Sequence, residues 1–111
     1  MEISVKKFLI DSIDAISLIE ETLQGTAFED YRNDRSKMIT VVQSFDSIIN
    51  SVRTVPAEIK ILYPEIPWFD IEDFRNTFEP DDYGIDENAV WKASKIRLRI
   101  FKKNFLNLLD L

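Results

Sequence analysis

The apolar residues of this chain recur at intervals of three and four, and that spacing limits the fold more than any other feature. From Ser4 to Gln24, the residues Val5, Phe8, Leu9, Ile13, Ile16, Ile19 and Leu23 fall on one side of a helix. Met38, Val41, Val42, Phe45, Ile48, Ile49 and Val52 repeat the pattern, and so do Val90, Ser94, Leu98, Phe101, Phe105 and Leu108. Two glycines and four prolines in 111 residues are too few for a sandwich or barrel with many turns. The spacing therefore predicts an all-α protein, an up-and-down bundle of four to five helices. Residues 1–111 are read as one domain, long enough to bury about two-thirds of its unfolded surface around a single core.

Breakers and caps divide the chain. Gly25 is placed to end the first helix as the residue just beyond its last turn. Thr26 and Glu29 have the spacing of a capping box, and Asn33 or Asp34 can cap the second long helix. Pro56 suits the first position of a short helix over Ala57 to Leu62. Pro64 and Pro67 then hold the chain extended. Trp68, Ile71, Phe74 and Phe78 predict one helix over 68–78, with Arg75 and Asn76 near its C-terminal end. Pro80 disfavours helical geometry at Glu79 and stops it. Glu79 to Gly84, EPDDYG, is a turn by composition, and Asp86 can cap the last helix.

Composition removes whole classes of chemistry. With no cysteine there is no disulfide, thiolate nucleophile or Cys-based zinc site, and with no histidine there is no imidazole for acid-base work. Placing Gly84 at the sixth position of a calcium loop puts Val90 where the bidentate glutamate belongs, so an EF-hand is rejected. A carboxylate pair such as Asp81 and Asp82 could bind Mg²⁺ weakly but reads first as solvated, and no metal or other cofactor is expected. Acids interrupt the apolar run of the N-terminus, and no apolar stretch reaches the length of a membrane span. A cytoplasmic protein without a targeting segment is expected.

Charge is distributed unevenly. The net charge of −6 disfavours indiscriminate binding of nucleic acid. Residues 65 to 87 carry nine acids and a single base, Arg75, whereas the last helix carries Lys92, Lys95, Arg97, Arg99, Lys102 and Lys103 against Asp110. Lys92, Lys95, Arg99 and Lys102 are spaced to share a face. That face reads first as solvated, and second as a phosphate track or a surface for an acidic partner. The lone guanidinium of Arg75 is either an ion-paired helix residue or a bidentate grip for phosphate or carboxylate. Residue type alone favours the first.

The run from Ile48 through Trp91 adds a specific pattern: Pro56, Pro64, Ile66, Pro67, Trp68, Ile71, Arg75 and Asn76, then Gly84, Ile85 and Asp86, with Trp91 inside the last helix. This pattern resembles the HepT-like branch of the HEPN superfamily, small helical proteins whose functional motif reads Arg-Asn-x-x-x-His-x-Tyr. The corresponding run here is RNTFEPDD. Arg75 and Asn76 match, while Pro80 stands at the histidine position and Asp82 at the tyrosine position.

The resemblance implies a HEPN-like bundle and a homodimer in which two motifs face each other and cut RNA without metal. It also implies a toxin-antitoxin setting, in which a minimal nucleotidyltransferase antitoxin can attach AMP to the motif tyrosine. With Asp82 at that position, Tyr83 is the only nearby acceptor. Cleavage needs a base for the 2′-hydroxyl proton, an acid for the leaving oxygen and a cation for charge on phosphorus. Arg75 fills only the last role, so ribonuclease activity is expected to be lost or severely reduced. The competing expectation is a non-catalytic dimeric interaction protein that binds a partner or RNA.

Overall fold

The computed structural model describes residues 1–79 and 84–110, and all the regular structure among them is helical. Helix α1 spans Ile3–Leu23, α2 Phe28–Arg32, α3 Arg35–Arg53, α4 Ala57–Lys60, α5 Trp68–Glu72, α6 Phe74–Phe78, α7 Glu87–Lys92 and α8 Leu98–Asp110. One turn of π-helix, Ala93–Arg97, joins α7 to α8. The helical bundle expected from the spacing is what forms.

Helices α1 and α3 make the most extensive pair, and α8 packs on α1. Phe8, Leu9, Ile16 and Ile19 of α1 are buried with Phe45, Ile48, Ile49 and Val52 of α3 and with Leu98, Phe101 and Phe105 of α8. These are the residues of the three apolar stripes. Gly25 ends α1 with φ +70°, a conformation that carries little cost only without a Cβ. The Asp34 carboxylate accepts from the Lys37 N–H at 3.1 Å and caps α3, and that of Asp86 accepts from the Ala89 N–H at 3.1 Å and caps α7.

Three local expectations are corrected, and a cap that the sequence did not single out is added at the start of α1. The cap of α1 is Glu2, whose carboxylate accepts from the Ser4 and Val5 N–H groups at 2.8 and 3.1 Å. The Thr26–Glu29 capping box does not form, because α2 starts after Ala27 and the Thr26 hydroxyl instead accepts from Lys37 Nζ at 2.7 Å. Pro56 sits one place before the first turn of a helix that stops at Lys60 rather than Leu62. The helix expected over 68–78 is interrupted at Asp73, with ψ near −10°.

That last interruption leaves the apolar face of the segment intact. Trp68, Ile71 and Phe74 are three residues apart, a period tighter than the 3.6 of an α-helix. The tightened turn at Asp73 keeps Ile71, Phe74 and Phe78 all facing inward, where each is buried.

A second junction ties the middle of the chain to its last helical run. Tyr31 is fully buried against Trp91, ring centroids 5.3 Å apart, and its hydroxyl donates to the Glu87 carboxylate at 2.5 Å. Burial, and after it the bond to Glu87 and that residue's negative charge, push the Tyr31 phenol far above its ordinary value. A raised pKa in the folded state means a contribution that is complete below about pH 10, where a free tyrosine is neutral, and is lost as pH climbs beyond it. Tyr31→Phe is expected to cost about 1–2 kcal/mol by leaving Glu87 without its donor. It should also flatten the alkaline limb of the stability curve, checked by urea unfolding between pH 8 and about 11. An unchanged alkaline slope would remove Tyr31 as its source.

Candidate functional site

The site that the sequence points to lies at the end of α6. Phe74 and Phe78 are the anchors of this short helix. Their rings stack on each other at 5.5 Å and meet Phe45 of α3 edge-on at 5.2 and 4.8 Å. With those two side chains committed to the core, Arg75 between them must project outward, and it is half exposed. A backbone bond from the Asp86 N–H to the Phe78 carbonyl, 2.6 Å, closes the two ends of the segment between α6 and α7. Arg75 lines one small cavity with Phe78, Glu79 and Ile85, the described residues on either side of the break between α6 and α7.

Arg75 is not free. Its Nη2 donates to Asp46 Oδ1 of α3 at 2.7 Å, with 48% of the Arg75 side chain and 43% of the Asp46 side chain still exposed. A pair this open to water is worth at most about 1 kcal/mol, so it can exchange for another anion. The cavity beside it, about 40 Å³, is lined by Val42, Phe45, Asp46, Phe78, Glu79 and Ile85 with Arg75 itself. The surroundings of the cation are thus apolar walls and two carboxylates. Asp46 was not legible as a site residue, because the contact joins positions 29 residues apart. The one hint was that a lone base among acids would find a partner.

Asn76 has a partner of its own. Its Nδ2 donates to Asp73 Oδ1 at 3.0 Å, which braces the tightened turn before α6. Pro80, Asp81, Asp82 and Tyr83 lie outside the described residues, and with them the positions of the motif histidine and tyrosine and the expected AMP acceptor.

The basic residues of the last helix do not act as one set. Lys102 Nζ pairs with Glu20 of α1 at 2.9 Å. Lys95 Nζ lies 4.8 Å from the centre of the Trp91 ring, a cation–π contact. Lys95 and Arg99 line an open cleft of about 470 Å³ that also holds Glu20 and Glu21, so its charge is mixed. Lys92 is exposed. Arg97, inside the π turn, lies 4.6 Å over the face of Phe74 and 5.8 Å from the centre of Phe101. A π turn adds a residue to the helical repeat and often sits at a functional position. Here it seats a half-buried guanidinium on the ring next to Arg75. No sequence signal marked it.

Along α3 a shallow apolar trough of about 270 Å³ continues from the Arg75 cavity, lined by Met38, Ile39, Val42 and Ile85, with Arg35 and Glu87 at its edge. Among the described residues, no group of three or more acids is arranged to hold a metal ion, and no helix is long and apolar enough to cross a membrane.

Comparison with known proteins agrees with this architecture. Residues 12–107 match the family described as "Ribonuclease HepT-like". A protein of Thermococcus cleftensis named "Probable ribonuclease HepT" is 32% identical over 105 residues, covering 95% of this chain and 96% of that protein. A protein of Methanocaldococcus jannaschii named "Putative RNase MJ1216" is 26% identical over 101 residues, 91% of this chain and 84% of its own length. A Caldanaerobacter subterraneus protein named "Putative RNase TTE0752" is 22% identical over 88 residues, 79% of each chain. No solved structure is a significant match. The match spans most of the chain, includes Arg75 and Asn76, and accompanies an all-helical bundle: this protein belongs to the HepT-like ribonuclease family.

Proposed function

We propose that this chain is the toxin-type partner of a HepT-like toxin-antitoxin pair, acting as a homodimer, with its RNA-cleaving activity lost or severely reduced. The observation that carries this reading is the composition of the motif. Arg75 is held outward on α6, able to meet a phosphate, while the motif's histidine position is Pro80 and the chain has no histidine at all. Loss of a general acid-base group typically lowers a rate by a factor of about 10² to 10⁴, and proline offers no group that exchanges protons. The apolar trough on α3 next to Arg75 supports the dimer, because a second copy covering it brings two Arg75 segments toward each other. A minimal nucleotidyltransferase is the partner that the family resemblance implies, with Tyr83 as the acceptor nearest the motif.

The alternative is a non-catalytic dimeric interaction protein that binds a partner or RNA. The bond between Arg75 and Asp46 favours it, since the cation that would grip phosphate already holds a carboxylate. Both readings predict that purified protein leaves labelled single-stranded RNA uncut above background, with and without chelator. Robust cleavage that survives chelator and disappears in Arg75→Ala would overturn the loss of activity. Asp81 or Asp82 would then have to be the base. Retention of a co-expressed neighbouring nucleotidyltransferase on the purified protein separates the toxin-antitoxin reading from the general one.

A further inference from the structure

The segment between α4 and α5 is pinned tightly, yet it shows its largest side chains to solvent. Trp68 packs on Phe8 with ring centroids 4.9 Å apart, and its indole N–H is shared between the carbonyls of Lys60 and Tyr63 at 3.2 and 3.1 Å. The Tyr63 hydroxyl accepts from the Glu2 N–H at 2.9 Å. The knot that draws Trp68 and Ile66 inward turns Ile61, Leu62 and Phe69 outward, where they are 77%, 66% and 75% exposed. One exposed apolar residue needs no explanation. Three on a segment fixed by side-chain hydrogen bonds make a preformed apolar surface, the kind that a partner covers.

The rim of this surface is acidic. Glu58, Glu65 and Asp70, its neighbours in the chain, are exposed, and Lys60, the one base between residues 54 and 74, directs its ammonium over the Trp68 ring at 5.8 Å. The complementary partner must be apolar at its centre and basic at its edge. The last helical run of this chain has that form. Ile96 and Ile100, one turn apart, are 61% and 55% exposed, and Lys92, Arg99 and Lys103 beside them are exposed with no ion-pair partner among the described residues. Both surfaces are open in the same molecule, so neither covers the other within one copy.

We propose that the Ile61–Phe69 knot of one copy docks on the Ile96–Ile100 face of another. Two different patches meet in this contact, so it is head-to-tail and can add copies beyond a pair unless its rotation closes a ring. The opposed rims set orientation and partner choice, and the apolar centres supply the driving force. The contact uses neither Arg75 nor the trough on α3, so it adds to the dimer proposed above and does not depend on it.

The test is the mass of the full chain in solution, by light scattering behind gel filtration and by sedimentation, over low to high micromolar concentration. The unmodified protein is expected to grow beyond a dimer as concentration rises and to shrink toward it in high salt. Phe69→Glu and Ile100→Glu, both at exposed positions, should each weaken growth by about tenfold or more. Each variant keeps one intact face, so mixing the two must restore a pairwise contact that neither makes alone. The charge variants Asp70→Lys and Arg99→Glu should each weaken growth separately and recover part of it when mixed. Wild-type protein that never exceeds a dimer, or a mixture no larger than its components, would overturn the proposal. Loss of the dimer itself in these variants would overturn it too, by placing the dimer contact here. Stable capture of a different protein by the knot, with no self-association, would assign the surface to that partner.

Discussion

Phe74→Ala is expected to destabilise the fold by about 3–5 kcal/mol, the usual cost of deleting a buried aromatic ring and leaving a cavity. The ring is fully buried and lies where α3, α6 and α8 meet. It touches Phe45 at 5.2 Å, stacks on Phe78 at 5.5 Å, approaches Phe101 at 6.0 Å and carries the Arg97 guanidinium on its face at 4.6 Å. None of these neighbours can move in to fill the space, because each is held on a different helix. A domain of this size has roughly 5–15 kcal/mol in total, so the variant should sit close to the unfolding transition at room temperature. Urea unfolding followed by far-UV circular dichroism measures the loss. A cost below about 1 kcal/mol would show that the cluster is looser than its packing implies.

The same cluster shows what the sequence could and could not reveal. Helices α1 and α3 were legible because their stripes are long and their ends are marked by Gly25 and Asp34, whose signals are local. The last run was legible from Asp86 onward, yet its π turn was not. That turn sets Arg97 over Phe74, a contact between distant parts of the chain that no local window contains. The break at Asp73 was not legible, because the spacing of Trp68, Ile71, Phe74 and Phe78 also fits one continuous helix. Arg75 was singled out by its isolation among acids, whereas Asp46 looked like an ordinary polar position on α3. Pairs such as Tyr31 with Glu87 and Lys102 with Glu20 join residues 56 and 82 apart, and nothing local specifies them.

Asp46→Asn is expected to raise the affinity of this protein for a phosphate-bearing ligand by about five- to thirty-fold, or about 1–2 kcal/mol. The size follows from charge. A carboxylate about 5 Å from a bound phosphate repels it by roughly 0.8 kcal/mol in water and roughly 3 kcal/mol at the effective dielectric of a protein surface, and a half-exposed pair lies between. Asparagine keeps an oxygen that can accept from Arg75, so the guanidinium stays oriented while its competitor loses its charge. Stability should change by less than about 1 kcal/mol, because the ion pair is open to solvent. Binding of a short single-stranded RNA, read by fluorescence anisotropy at low ionic strength, should therefore tighten. The gain should vanish when Arg75→Ala is added and should shrink as salt is raised. Weaker binding would give Asp46 the opposite role, holding Arg75 in place for the ligand rather than occupying it. Tighter binding should bring no cleavage with it. Removing Asp46's charge clears the cation for phosphate, but it adds no group able to take the 2′-hydroxyl proton, and the position that would supply one remains Pro80.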